Sequence, residues 1–274
     1  MKEVLIILLI GLTACAANMK GSKKDIRIEE ALINGYDIVI KNKTIKEAID
    51  LTELLHKIPI NDKSSFVQVT SNIYFQDCIF EGSFKTSKRT KEWGEVATQF
   101  INNVAFINCK FLDQAEFRAS VFKGHVDFSN STFKKGANFQ DALFTQKTTF
   151  NGTFWEGEGK FQLGRFYHTT TFMDARATEH MMFQGAVFHD ECNFNISDFQ
   201  KYVDFSLVRF NGKSSFNYTK WKDRAVFTNC VWRDHTSFVH VEFGDISFKG
   251  SRCDGNFLME GENITGEYTA MEMD

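Results

Sequence analysis

Aromatic residues punctuate this chain at a fixed beat. From Phe106 the steps alternate five and six residues through Phe111, Phe117, Phe122, Phe128 and Phe133 and onward to Phe243, and every stop but Ala177 is Phe or Trp. Two positions before most stops lies a small or β-branched residue, as at Ala115, Val126, Ala137, Thr170 and Ala225, and the residues between are largely polar. A helix does not fit this pattern. Steps of five and six put successive rings on opposing sides, so no single seam results, and Asn, Thr, Gly and Phe at this density are poor helix formers. The pairing of i−2 with i is instead the same-side spacing of a strand. In one straight strand a step of five would turn the next ring outward, so the chain must round a corner in every unit. Each short strand then presents a small-x-large pair inward, and the product is an all-β solenoid.

Units such as Ala137-Asn138-Phe139-Gln140-Asp141 and Val203-Asp204-Phe205-Ser206-Leu207 resemble the Ala-Asp/Asn-Leu/Phe-x-x unit of the pentapeptide-repeat family, with one extra residue in every second unit. The resemblance is strong from Phe106 to Phe243. It implies a right-handed quadrilateral β-helix of four units per coil, with the extra residues enlarging two opposite corners. At about 22 residues per coil the regular stretch makes about six coils, a segment ~30 Å long at ~4.8 Å per rung. Composition agrees: the chain holds 30 Phe and a single Pro, Pro59. A ladder running through every face has almost no place for a residue without an N–H.

The flanks divide the remainder. Val4 to Leu12 is an apolar run too short to span a bilayer, and it ends in Leu12-Thr13-Ala14-Cys15. That tetrapeptide resembles the bacterial lipobox, which implies removal of a signal peptide, residues 1–14, and a lipid bilayer anchor through acylated Cys15. Ala16 in place of Asp favours the outer membrane if the organism is Gram-negative. Residues 15–24 read as a polar tether, and residues 25–36 as a short N-terminal capping helix with Ile26, Ile28, Ala31 and Leu32 on one side. The solenoid is expected over 37–264, with excursions at 52–69 and 85–104. The second excursion carries the basic run Lys85 to Lys91 and a helix predicted around Glu92 to Ile101. Residues 265–274 form an acidic tail expected to blunt the final edge.

Charge and side-chain chemistry narrow the function more by exclusion than by motif. With 32 Lys+Arg against 35 Asp+Glu and a net charge of −3, the chain has no broad cationic surplus for nucleic acid. Cys78, Cys109, Cys192 and Cys230 fall two residues before an aromatic stop, where Ala, Ser or Thr serves elsewhere, so they read as buried small hydrophobes rather than ligands. Cys230 and Cys253 occupy neighbouring coils, which permits a disulfide. His168 and His189, with Asp190 and Glu191 near the latter, hold different offsets from their Phe stops and read as exposed turn residues, not a metal site. Glu156 and Glu158 sit at one corner rather than across a cleft, so the geometry of a glycosidase is missing. There is no phosphate loop, nucleophile elbow or metalloprotease motif. The sequence therefore predicts no catalytic, cofactor-binding or metal site.

One outward pattern points to binding. The residue before every fourth stop reads Val121, Leu143, Arg165, Val187, Arg209 and Val231, a mixed apolar and Arg stripe once the coils stack. The matching positions beside Phe128 and its equivalents are Asp127, Thr149, Thr171, Asn193, Ser215 and Ser237, all polar. The expected function is a non-enzymatic, membrane-anchored scaffold at the bacterial cell envelope that presents the stripe to a protein partner or a second copy, with no nucleic acid involved. One alternative is an envelope carbohydrate-binding or processing β-helix, by analogy of fold alone. Another is a DNA-mimic gyrase-binding protein, which would require the cytoplasm and a strongly acidic stripe.

Overall fold

The computed structural model describes residues 28–265 and 267–269. Cys15, its signal peptide and tether, the first residues of the expected cap and the end of the tail lie outside them. The described chain winds into a right-handed quadrilateral β-helix whose four walls are sheets of ten or eleven strands, parallel from rung to rung and joined on one wall by two antiparallel strands. Face 1 starts at Ile38–Lys41, face 2 at Thr44–Ile45, face 3 at Ile49–Asp50 and face 4 at Ser64–Val69. Ten rungs at ~4.8 Å give a rod ~45 Å long.

Most strands are only two residues long, because the rungs supply the pairing and the corners supply the turns. Backbone groups are consumed from rung to rung: Phe128 N donates to Thr149 O at 2.8 Å, Phe150 N to Thr171 O at 2.7 Å and Phe172 N to Asn193 O at 2.7 Å. Inside, the rings stack in columns. Phe117, Phe139, Phe161, Phe183, Phe205 and Phe227 follow one another at 4.6–5.1 Å between centroids, with nearly parallel planes. Columns from adjacent faces meet edge to face, as Phe128 does with Phe139 at 77°, the geometry favoured by the aromatic quadrupole.

The alternating beat has a mechanical origin at the corners. The five-residue steps make tight turns, closed for example by Ser131 N to Phe128 O at 3.1 Å and Ala142 N to Phe139 O at 3.1 Å. Their third residue takes a positive φ, as at Asn130 and Asp141 (both 58°), which is the type II geometry. The six-residue steps carry the extra residue at the two opposite corners, between faces 2 and 3 and between faces 4 and 1. The residue closing each tight turn is buried and small, and there Ser, Thr, Ala and Cys interchange. Ser131 Oγ donates to Phe106 O at 2.6 Å, and Cys230 Sγ donates to Phe205 O at 2.9 Å.

Several boundaries differ from the sequence expectation. The capping helix α1 spans Ile28–Asn34 and buries Ala31 and Leu32. In the first excursion a one-turn helix α2, Leu51–Leu54, is capped by Asp50, and the chain then forms a hairpin of Ile58–Asn61 against Ser64–Val69. Pro59 sits on the outer arm of that hairpin, the edge position a missing N–H tolerates. The helix expected around Glu92 to Ile101 is instead the strand Gly94–Phe100, with Ser87–Thr90 folded back on it antiparallel. Val96, Thr98 and Phe100 point inward and Glu95, Ala97 and Gln99 do not, a two-residue alternation that fixes a strand. At the C-terminal end the pair Tyr268–Thr269 adds to face 3 beside Ile246–Ser247, so the solenoid runs past Ile264 into the expected tail.

Candidate interaction face

Face 4 brings together all six residues of the predicted stripe. Val121, Leu143, Arg165, Val187, Arg209 and Val231 are direct rung-to-rung partners in unbroken parallel register. Behind them the column Phe122, Phe144, Phe166, Phe188, Phe210 and Trp232 is buried and stacked at 4.7–5.6 Å. The stripe is therefore rigidly spaced by the core it is attached to, at ~4.8 Å per rung.

The stripe is the floor of a groove of about 790 Å³. One wall is the corner before face 4, where the turn residues Asp141, Leu163, Gly185, Leu207 and Asn229 stack. Leu163 and Leu207 are 53% and 60% exposed and hold φ values of 58° and 63°. Leu gains nothing locally from that conformation, which Asn, Asp and Gly adopt at lower cost. Gly185, between them at φ 67°, leaves room for the Leu163 side chain: a Cβ there would lie 2.9 Å from Leu163 Cδ2. On the far side Tyr167 stacks on His189, centroids 4.3 Å apart and 14° from parallel, and Asn211 Nδ2 reaches His189 Nδ1 at 3.5 Å. Arg233 completes that side.

The charges of the groove are unbalanced. Some Lys and Arg on the other walls have acidic partners, as Lys134 does with Glu156 at 2.9 Å, Lys135 with Asp113 at 2.8 Å and Lys220 with Glu242 at 3.0 Å. Among the described residues the guanidinium groups of Arg165, Arg209 and Arg233 form no ion pair, and all three are exposed. Among the described residues Asp141 is the one carboxylate lining the groove. Burial lifts its carboxyl above the ordinary value, Arg118 and Arg165 oppose that shift, and Glu95 adds to it.

The other candidates resolve into structure. On face 1 the polar column is cross-tied by asparagines: Asn217 Oδ1 accepts from Ser237 Oγ at 2.6 Å and Val239 N at 2.8 Å, and Asn195 Oδ1 does the same with Ser215 Oγ and Asn217 N. Glu156 is paired with Lys134 and Glu158 with Lys160 at 3.1 Å. Among the described residues no group of three or more His, Cys, Asp or Glu could hold a metal ion, and no helix is long and apolar enough to cross a membrane.

Cys230 and Cys253 are not opposed. Cys253 aligns with Trp232, while Cys230 N donates to Ser251 Oγ at 2.7 Å, and all five described cysteines are free. The two positions are not equivalent: Cys230 lies two residues before the ring of Trp232, whereas Cys253 takes the ring position itself. Cys78 and Cys109 instead occupy equivalent places on neighbouring rungs, and the adjacent Cys78 thiol together with burial pushes the Cys109 thiol well up.

Sequence reasoning followed only the residue before each ring and so missed Leu163, Leu207 and the Tyr167–His189 stack. A signal was present: Leu163-Gly164-Arg165-Phe166 returns as Leu207-Val208-Arg209-Phe210 two rungs later. The family model described as "Pentapeptide repeats (9 copies)" matches residues 97–143 and 216–261, the two flanks of this face's central rungs. No curated protein and no solved structure matches the chain. Over those residues the chain is similar to pentapeptide repeats, and the four-walled ladder and five-residue tight corners agree with that likeness.

Proposed function

We propose that this chain is a non-enzymatic, lipid-anchored scaffold of the bacterial cell envelope, held at the membrane by acylated Cys15 and presenting face 4 to a protein partner. The observation that carries the reading is the stripe from Val121 to Val231: outward apolar and cationic side chains in continuous register, backed by a stacked aromatic column that keeps the surface stiff. Such an arrangement is preorganised, so little side-chain and loop ordering opposes association. The sign of face 4 is opposite to that of a DNA mimic, since Arg165, Arg209 and Arg233 are its uncompensated charges.

Two measurements test it. Metabolic labelling with palmitate should mark the wild-type chain and not Cys15→Ser, and loss of the difference would remove the anchor. Photo-crosslinking in intact cells from a position beside Val187 should give a discrete adduct that disappears in Val187→Glu with Val231→Glu, while circular dichroism of the variant stays unchanged. An adduct indifferent to both substitutions would remove face 4 as the interface. An adduct of twice the chain's mass would identify the partner as a second copy.

A further inference from the structure

Face 4 carries a longer period than its own rungs. Arg165 and Arg209 are two rungs apart, and so are Leu163 and Leu207 on the neighbouring corner, with Val187 and Gly185 between them. The groove thus repeats one cation and one exposed leucine every ~9.6 Å. A ligand that satisfies both must repeat an anion and an apolar group at that distance on one side.

Few extended chains do so. A β-strand returns a side chain to the same side every two residues, ~6.7 Å, and falls out of step. Two turns of α-helix advance ~10.8 Å, more than ~1 Å too far at each repeat. Polyproline II has three residues per turn and ~3.1 Å per residue, and so returns every ~9.3 Å. It also has no internal hydrogen bonds and keeps its backbone solvated, which suits a surface with no ladder to offer. The face 4 amides are already spent within the solenoid: Leu143 N donates to Ser120 O at 2.9 Å, Val187 N to Gly164 O at 2.9 Å and Arg209 N to Ala186 O at 3.1 Å. The stacked Tyr167 and His189 rings beside Arg165 supply the flat aromatic edge on which proline rings pack.

Resting on the reading of face 4 as a protein-binding surface, we infer that its partner segment is an acidic, proline-rich peptide in the polyproline II conformation, with a carboxylate at every third residue facing Arg165 and Arg209 and its apolar neighbours against Leu163, Val187 and Leu207. The charge is complementary, and the leucines explain themselves: they lose local conformational energy and gain contact with the ligand. An acidic polysaccharide would meet the arginines equally well but needs acceptors and donors for its hydroxyls. Among the described residues the floor and corner wall offer side-chain acceptors only at Asp141 and Asn229.

The test uses the full, lipidated chain in detergent and a fluorescein-labelled peptide of Glu-Pro-Pro repeats about twelve residues long, ~37 Å when extended. Anisotropy should show saturable binding that weakens with added salt. Peptides of Lys-Pro-Pro repeats and of alternating Glu-Thr, and polygalacturonate, are the comparisons. Arg165→Glu with Arg209→Glu should weaken binding at least ~tenfold, a loss that exposed charges facing a ligand can produce. Leu163→Asn with Leu207→Asn should weaken it by about tenfold while the melting temperature holds or rises, since Asn is the better left-handed residue. A merely structural pair of leucines would lower the melting temperature and leave binding alone. Equal binding of the Lys-Pro-Pro peptide, better binding of the Glu-Thr peptide, or no saturation by the Glu-Pro-Pro peptide would overturn the inference. Polygalacturonate binding at Arg165 and Arg209 without peptide binding would transfer the groove to glycans. If the peptide fails while the Val187 crosslink persists and remains sensitive to Val231→Glu, face 4 stands as an interface and only the partner's chemistry falls.

Discussion

Phe161→Ala probes the aromatic column at its centre. Phe161 is fully buried, stacked between Phe139 at 5.1 Å and Phe183 at 5.0 Å and met edge-on by Phe150, Trp155 and Phe172 at 5.2–5.5 Å. Removing the ring forfeits about 2 kcal/mol of transfer free energy. The void does not close easily, because the rungs on either side are held apart by backbone bonds such as Phe139 N to Lys160 O at 2.6 Å and Phe161 N to Met182 O at 2.7 Å. At ~24 cal/mol per Å³, a retained void of roughly 100 Å³ adds about 2 kcal/mol, so the substitution costs about 4 kcal/mol in total. The chain tolerates Ala177 at another stop because its neighbours are enlarged: Trp155 lies one rung before it, and Met181 reaches toward Trp155 over Gly159. Phe161 has no such compensation. Solenoids can open locally, so native-state hydrogen exchange is the suitable assay. Protection of the Phe139, Phe161 and Phe183 amides should fall by up to ~10³-fold, the equivalent of about 4 kcal/mol. Phe154→Ala, an outward and partly exposed ring on the adjacent wall of the same coil, should change it by less than about tenfold. Equal effects from the two substitutions would refute the internal stack as the source of stability.

Three further outcomes follow from single sites. Gly159→Ala places a Cβ 2.4 Å from Met181 Sδ, so it should lower stability by about 1–3 kcal/mol through overpacking, with Met181→Ala in the same chain restoring part of it, as measured by denaturant titration. Tyr202 is pushed up from 10.0 to about 12 by burial and by its hydrogen bond to Asp204. Its proton is thus held more tightly when folded, so the associated stability is complete below about pH 10 and is lost as pH rises toward about 12; an absorbance titration should show one tyrosine ionising after the rest. Burial raises the Cys192 and Cys230 thiols, and of the five described cysteines only Cys253 is partly exposed. Maleimide should therefore label Cys253 in the native protein, with Cys78, Cys109, Cys192 and Cys230 reacting only in denaturant.

What could be read from the sequence was what the core repeats. Each inward ring is fixed by the rings above and below it, so the beat from Phe106 to Phe243 survives in the residues themselves and yields both the solenoid and the register of the stripe. Where the chain leaves the core the same reasoning loses its ruler. Gly94 to Phe100 was legible as a strand only through the alternation of Val96, Thr98 and Phe100, which the charged run before it obscures. Cys253 stands at a ring position opposite Trp232, two residues out of step with Cys230, so occupying neighbouring coils did not suffice to pair them. Leu163 and Leu207 escaped notice because their slot is a turn position, held mostly by Asn, Asp and Gly, where an apolar residue carries no periodic signal of its own.

The two tight corners of the coil make a controlled comparison of what an exposed apolar turn residue is for. Opposite the groove, the corner between faces 1 and 2 also holds Ile196 at φ 64° and Tyr218 at φ 58°, exposed by 55% and 57%. A β-branched residue is the worst occupant of that conformation. Yet the neighbouring outward positions on face 2 are Asp198 and Lys220, and Lys220 is already paired with Glu242. Arg176, two rungs from Lys220 on the same face, is likewise paired, with Asp174 at 3.1 Å, and Tyr218 packs against His240 at 5.2 Å. If strained apolar corners were simply tolerated by the fold, replacing either set would have the same consequence. If face 4 is a binding surface, the sets separate: Ile196→Asn should raise stability by about 1 kcal/mol and leave every ligand measurement unchanged, whereas Leu163→Asn with Leu207→Asn should give the same gain in thermal unfolding and lose the ligand. A loss of binding from Ile196→Asn as large as that from the leucine pair would locate the interface on the wrong corner.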